Sequence, residues 1–191
     1  MTLCISKNYD TESFPEYPNL TLEHKIDLFE DRVLGWHLEI ARCMITINED
    51  KGNKYSETMA HSGFALLSVI FNYFEMIGKY KNPDVNKPRE LFYLGFEDVY
   101  PEYSNPNCAK NLYEEGRCGM YHSGITGKGI DISGGYQKSI IYEGKRNLVH
   151  INPHILVRDL IKHFSNYIDK LRNSKQSDSL IENFEKAFSK Y

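Results

Sequence analysis

A chain of 191 residues, 41% hydrophobic and 13% aromatic, is long enough for one core of ordinary size and too apolar for a disordered or fibrous protein. With 23 basic side chains against 26 acidic ones, its overall field repels polyanions, which excludes a general nucleic-acid coat and leaves only a local basic patch for such contacts. The cysteines, Cys4, Cys43, Cys108 and Cys118, lie far apart with no Cys-x-x-Cys pair, a pattern of reduced thiols in a cytoplasm rather than of a zinc knuckle or a disulfide framework.

Residues 1–19 read as an irregular leader. Asp10, Glu12 and Glu16 interrupt the apolar stretch that a signal peptide needs, and no segment reaches the ~18 apolar residues of a membrane span. The expectation is therefore a soluble, cytoplasmic protein with no membrane partner. From there Leu22, Ile26, Phe29, Val33, Trp36, Ile40, Cys43 and Ile47 alternate spacings of four and three, which predicts one long amphipathic helix, with Thr21 as its N-cap and an end in "NEDKGNK".

A second helix is expected from about Ser56 to Tyr80, where "FALLSVIFNYFEMIG" is apolar on nearly every side, as in the middle of a bundle. "KNPDVNKPRE" breaks the pattern. A shorter helix from Arg89 to Tyr100 ends at Pro101, and another runs from Cys108 to Tyr121. The period then changes to two in "GIDIS", "KSIIYEG" and "NLVHI", predicting a small meander or hairpin over residues 129–152. Pro153 opens a long helix with a stripe from Ile155 to Leu171, and Asp178 or Ser179 caps a short last one. The fold class is mostly α: a single domain, residues 1–191, formed by an up-and-down helical bundle with a β insertion before the last long helix.

Among residues that carry chemistry, "YEEGRCGMYHSG" sets Arg117 and His122 five positions apart near a helix end. Five residues of ideal helix amount to about 140° of rotation and ~7.5 Å of rise, so the two side chains diverge without touching. Two copies of such a helix can surround one phosphate, with histidine exchanging a proton near neutral pH and arginine holding a phosphate oxygen through charge-assisted bonds. The alternative is structural: Arg117 pairs with Glu114 or Glu115, and His122 caps the final turn near Gly124.

The remaining signals are weaker. No His pair has the spacing and intervening glutamate of a zinc hydrolase, so no metal and no cofactor is expected. "GITGKGIDISGG" lacks the ending of a phosphate loop and reads as a flexible connection. Lys128, Lys138, Lys145 and Arg146 form either a basic rim for RNA or a solvated hairpin surface. Of the aromatics, Tyr121 and Tyr136 are the stacking candidates.

The stretch "GRCGMYHSG" on a late helix of a small bundle resembles the Arg-x4-6-His signature of the HEPN superfamily, over roughly Thr21 to Ser123 and the helix from Pro153. For members that keep both residues, the resemblance implies a metal-independent endoribonuclease of toxin, defence or other conflict systems. Such an enzyme works as a homodimer, at times with an antitoxin-type protein partner. Arg117 would then polarise the scissile phosphate and His122 would move the proton as the 2′-hydroxyl attacks. Glu75 and Lys79, four apart in "YFEMIGK", match an acidic and basic pair that orients the motif. Cys118 stands where active members commonly carry Asn, Asp or His, and a thiol is a poor hydrogen-bond partner for RNA. The resemblance therefore also admits a catalytically silent module that binds RNA or nucleotide or serves dimerisation.

Overall fold

The structure is a computed structural model that describes residues 2–103, 105–175 and 178–190. Helix α1 (Leu22–Val33) continues through a π-helical segment (Leu34–Leu38) into α2 (Glu39–Glu49), followed by the short α3 (Ser56–Met59), the central α4 (Gly63–Lys81) and α5 (Pro88–Val99). Next comes α6 (Pro106–Asn111), which passes through a second π segment (Leu112–Cys118) into α7 (Gly119–Ser123). Strands β1 (Ile130–Ile132), β2 (Ile140–Glu143) and β3 (Leu148–Ile151) precede α8 (Pro153–Asn173) and α9 (Ser179–Phe188). The chain is thus mostly helical, with a small three-stranded sheet inserted before its last long helix.

Local chemistry explains most of the boundaries. Thr21 accepts a hydrogen bond from the backbone N–H of His24 at 3.2 Å, and Asn152 accepts from His154 and Ile155 to start α8. Pro88, Pro106 and Pro153 each occupy a first turn, where a missing N–H costs nothing. Asp178 stands at the N-cap of α9, but its carboxylate accepts from the backbone of Lys175 at 2.8 Å instead of from the helix.

The π segment after α1 changes the expected stripe. An i→i+5 turn holds one residue more than an α turn, so the inward row runs Ile26, Phe29, Val33 and then jumps five places to Leu38, Ala41 and Ile45, all buried. Trp36 and Ile40 are left 44% and 46% exposed, and Cys43 is exposed as well. The long second helix breaks at residues 60–62 into α3 and α4, and burial is concentrated in the C-terminal half of α4, since Phe64, Ala65, Ser68 and Asn72 face outward. The sheet is not a meander: β2 and β3 form an antiparallel hairpin, while β1 pairs in parallel with β3, in the order β1-β3-β2.

The core gathers around α4. Phe71 and Phe74 meet Phe92 and Phe96 of α5, while Phe29, Phe164 and Phe184 pack edge to face on the other side. Each wholly buried side chain of this size contributes about 1.5–3 kcal/mol. Helices α4 and α5 cross at two glycines, where a Cβ on Gly78 would overlap the carbonyl oxygen of Leu91 and one on Gly95 that of Phe74.

A polar network ties three helices together at this core. The Tyr73 hydroxyl lies 2.7 Å from His163 Nδ1, His163 Nε2 lies 3.0 Å from Asp98, and Lys81 pairs with the other oxygen of Asp98. Burial raises the Asp98 carboxyl, but the hydrogen bonds from His163 and Lys81 outweigh it and hold it below the ordinary carboxylate range. A depressed carboxylate adds stability that is present above its unfolded value near 3.8 and is lost as pH falls through the lower native one. Asp98→Asn is accordingly expected to cost about 1–3 kcal/mol at pH 7 and to flatten the acid limb below pH 4, read by urea unfolding at both pH values.

Candidate functional site

Arg117 sits near the end of the second π segment, a conformation that is rare and frequent at functional sites. From there its guanidinium reaches across to α4. Nε donates to Glu75 Oε1 at 2.7 Å and Nη2 to Glu75 Oε2 at 3.4 Å, with the two side chains 21% and 19% exposed. Burial alone would lower the arginine's pKa, and the Glu75 carboxylate outweighs it and holds the group above its ordinary value. Tyr121 lies over one side of the guanidinium at 4.7 Å and Tyr113 at 5.7 Å. The Tyr121 hydroxyl donates to Asn72 Oδ1 at 2.9 Å, which fastens the start of α7 to the outward face of α4.

His122 occupies the last turn of α7 and is exposed. It makes no hydrogen bond or ion pair among the described residues, and Gly124, with φ 72°, ends the helix through its own N–H to Met120. Neither surface alternative for Arg117 is used. Glu114 pairs with Arg89 at 3.4 Å, and the carboxylate that Arg117 engages is Glu75, not Glu115. Cys118 is partly buried against the core as a free thiol.

Lys79 is placed elsewhere. Its Nζ donates to the Val85 carbonyl at 2.6 Å and to Asn86 Oδ1 at 2.9 Å, so it fastens the α4–α5 loop and leaves the orientation of Arg117 to Glu75. The expected basic rim is divided by the sheet topology. Lys128, Lys145 and Arg146 lie at the end where β1 and β3 begin, whereas Lys138 precedes β2 at the opposite end, and Arg146 pairs with Glu143 at 3.4 Å. Tyr136 is not a free stacking platform, because its hydroxyl is engaged by Asp131 and by His150 at 2.9 Å and its ring lies against His150.

One feature lay outside any sequence pattern. A cavity of about 570 Å³ opens beside Glu75, between the end of α1, the first π segment, α4 and the start of α5, and Trp36 and His37 line it. No sequence signal marked it, because Trp36 continues the apparent α stripe from Val33 to Ile40. Among the described residues, no three His, Cys, Asp or Glu side chains gather to hold a metal ion, and no helix is long and apolar enough to cross a membrane. Compared with known proteins, the chain matches no family profile, no curated protein and no solved structure.

Proposed function

We propose that the chain is a HEPN-like, metal-independent endoribonuclease that acts as a homodimer in a toxin or defence setting, with Arg117 and His122 as its catalytic residues. The observation that supports this reading is the division of labour around the motif. Glu75 grips two N–H groups of Arg117 and fixes its direction, while His122 stands exposed and unbonded five residues further on. An exposed imidazole with no bonded partner is free to meet a substrate.

In the proposed reaction the 2′-hydroxyl oxygen of RNA attacks the adjacent phosphorus, the bond to the 5′-oxygen breaks, and a 2′,3′-cyclic phosphate forms. His122 of one copy takes the 2′ proton and His122 of the second copy protonates the leaving oxygen. Arg117 stabilises charge on the non-bridging oxygens through Nη1, the nitrogen that Glu75 does not engage. Homodimerisation is part of the reading because one copy carries a single such histidine.

A second reading is supported by the same carboxylate. Glu75 neutralises the arginine that would meet the phosphate, and Cys118 adds no strong hydrogen-bond donor. On that reading the protein is a silent RNA- or nucleotide-binding or dimerisation module. Incubation of the purified protein with structured and single-stranded RNA in EDTA separates the two, alongside light scattering at micromolar concentration. The expected results are a dimer and persistent cleavage. RNA retained without cleavage would establish the silent module, and cleavage only after adding a divalent ion would contradict the mechanism.

A further inference from the structure

The cavity beside Glu75 has an unusual balance of surface. Its walls include the rings of Phe29, Trp36 and Tyr80, and two cations, Arg32 and Lys79. Arg32 donates through Nε to the Ile5 carbonyl at 2.8 Å and forms no ion pair with a carboxylate among the described residues. Lys79 is only 7% exposed, yet both oxygens that it contacts are neutral. The one carboxylate in the wall, Glu75, has both oxygens turned to Arg117. Asp84 attracts this ammonium only from beyond contact distance, and a largely buried ammonium with no carboxylate in direct contact gains when an anion completes its shell.

Trp36 supplies the other half of the site. It is the only tryptophan of the chain, and the π segment carries it out of the core row to the cavity. A large ring left 44% exposed in a concavity whose size suits a small molecule offers a face for stacking. We infer that this cavity binds a small ligand that joins a flat aromatic ring to a phosphate or carboxylate group, the ring against Trp36 and the anion between Lys79 and Arg32.

Two further properties agree with that ligand. Burial, and then the neighbouring Lys190, push the Lys79 ammonium below the usual lysine range, a strain that a bound anion relieves. His37 stands exposed at the rim of the cavity, and partial desolvation there moves its imidazole below the ordinary histidine range. The inference requires no cleavage of RNA and stands apart from the catalytic reading.

The lone tryptophan makes the site measurable, since all indole fluorescence comes from its wall. Titration with adenosine monophosphate, phenyl phosphate and benzoate is expected to change that emission saturably for at least one of them. Adenosine and inorganic phosphate, each lacking one half of the ligand, should need at least tenfold higher concentrations. The three ring-bearing anions distinguish a nucleotide, another phosphate ester and a carboxylate. Lys79→Met and Arg32→Gln should each weaken the effective probe about tenfold or more, the loss of one charge-assisted hydrogen bond. Arg32→Gln keeps a donor for Ile5 and is read even if Lys79→Met fails to fold. No saturable change with any of the three, equal binding of adenosine, or unchanged affinity in Arg32→Gln would overturn the inference.

Discussion

Gly95→Ala is expected to destabilise the protein by about 3 kcal/mol or more, at the upper end of overpacking effects. An added Cβ would overlap the carbonyl oxygen of Phe74 and lie 2.7 Å from its carbon and 2.9 Å from Ile77 Cγ2. The obstacle is backbone, so no rotamer change relieves it, and α4 and α5 must separate along the line where Phe74, Phe92 and Phe96 interlock. For a chain of this size the loss corresponds to a fall in Tm of roughly 6–12 °C. Gly134→Ala serves as the control, because nothing lies within 4 Å of a Cβ there. Thermal unfolding of the two variants should give a large fall and almost none. A Gly95→Ala midpoint equal to the parent's would mean that the crossing is looser than described.

The bundle was legible because helical burial imposes a period, and the stripes of α8 and of α1 face the core as their spacings require. The β segment was legible from its period of two, but pairing was not: whether β1 meets β2 or β3 depends on the connection through residues 133–139, which leaves no mark in alternation. The π segments were illegible for a related reason. One extra residue in a turn changes no composition, and the sequence keeps a plausible α stripe through Trp36, Ile40 and Cys43 even though the real inward row has stepped to Leu38, Ala41 and Ile45.

The site divides along similar lines. Arg117 and His122 are close in sequence and so could be singled out, and Glu75 could be paired with them only through a family's spacing, because its contact with Arg117 spans 42 positions. Lys79 shared that spacing but turns to the α4–α5 loop, since one helical turn beyond Glu75 it already lies beside Val85 and Asn86. The cavity was invisible because its walls come from four separate elements, α1, the first π segment, α4 and α5, and its most telling residue, Trp36, fits an apolar stripe just as well.

Substitutions within the motif should have the largest effect on activity. His122→Ala removes the proposed proton-transfer group and should lower RNA cleavage by about 10²-fold or more. A histidine that only favours the end of α7 would cost no more than about 1 kcal/mol of stability and leave the rate unchanged. Arg117→Lys keeps a charge that one oxygen of Glu75 can hold, but it loses the planar fork that engages Glu75 and that, in the proposed reaction, engages phosphate at the same time. It should therefore damage cleavage nearly as much as Arg117→Ala while disturbing stability less. The most direct measurement is the rate at which parent, His122→Ala and Arg117→Lys, each shown by light scattering and circular dichroism to assemble and fold alike, cleave one RNA in EDTA. Loss of about 10²-fold or more in both variants is the expected result, and cleavage by both at the parental rate would contradict the assignment of Arg117 and His122 as catalytic residues.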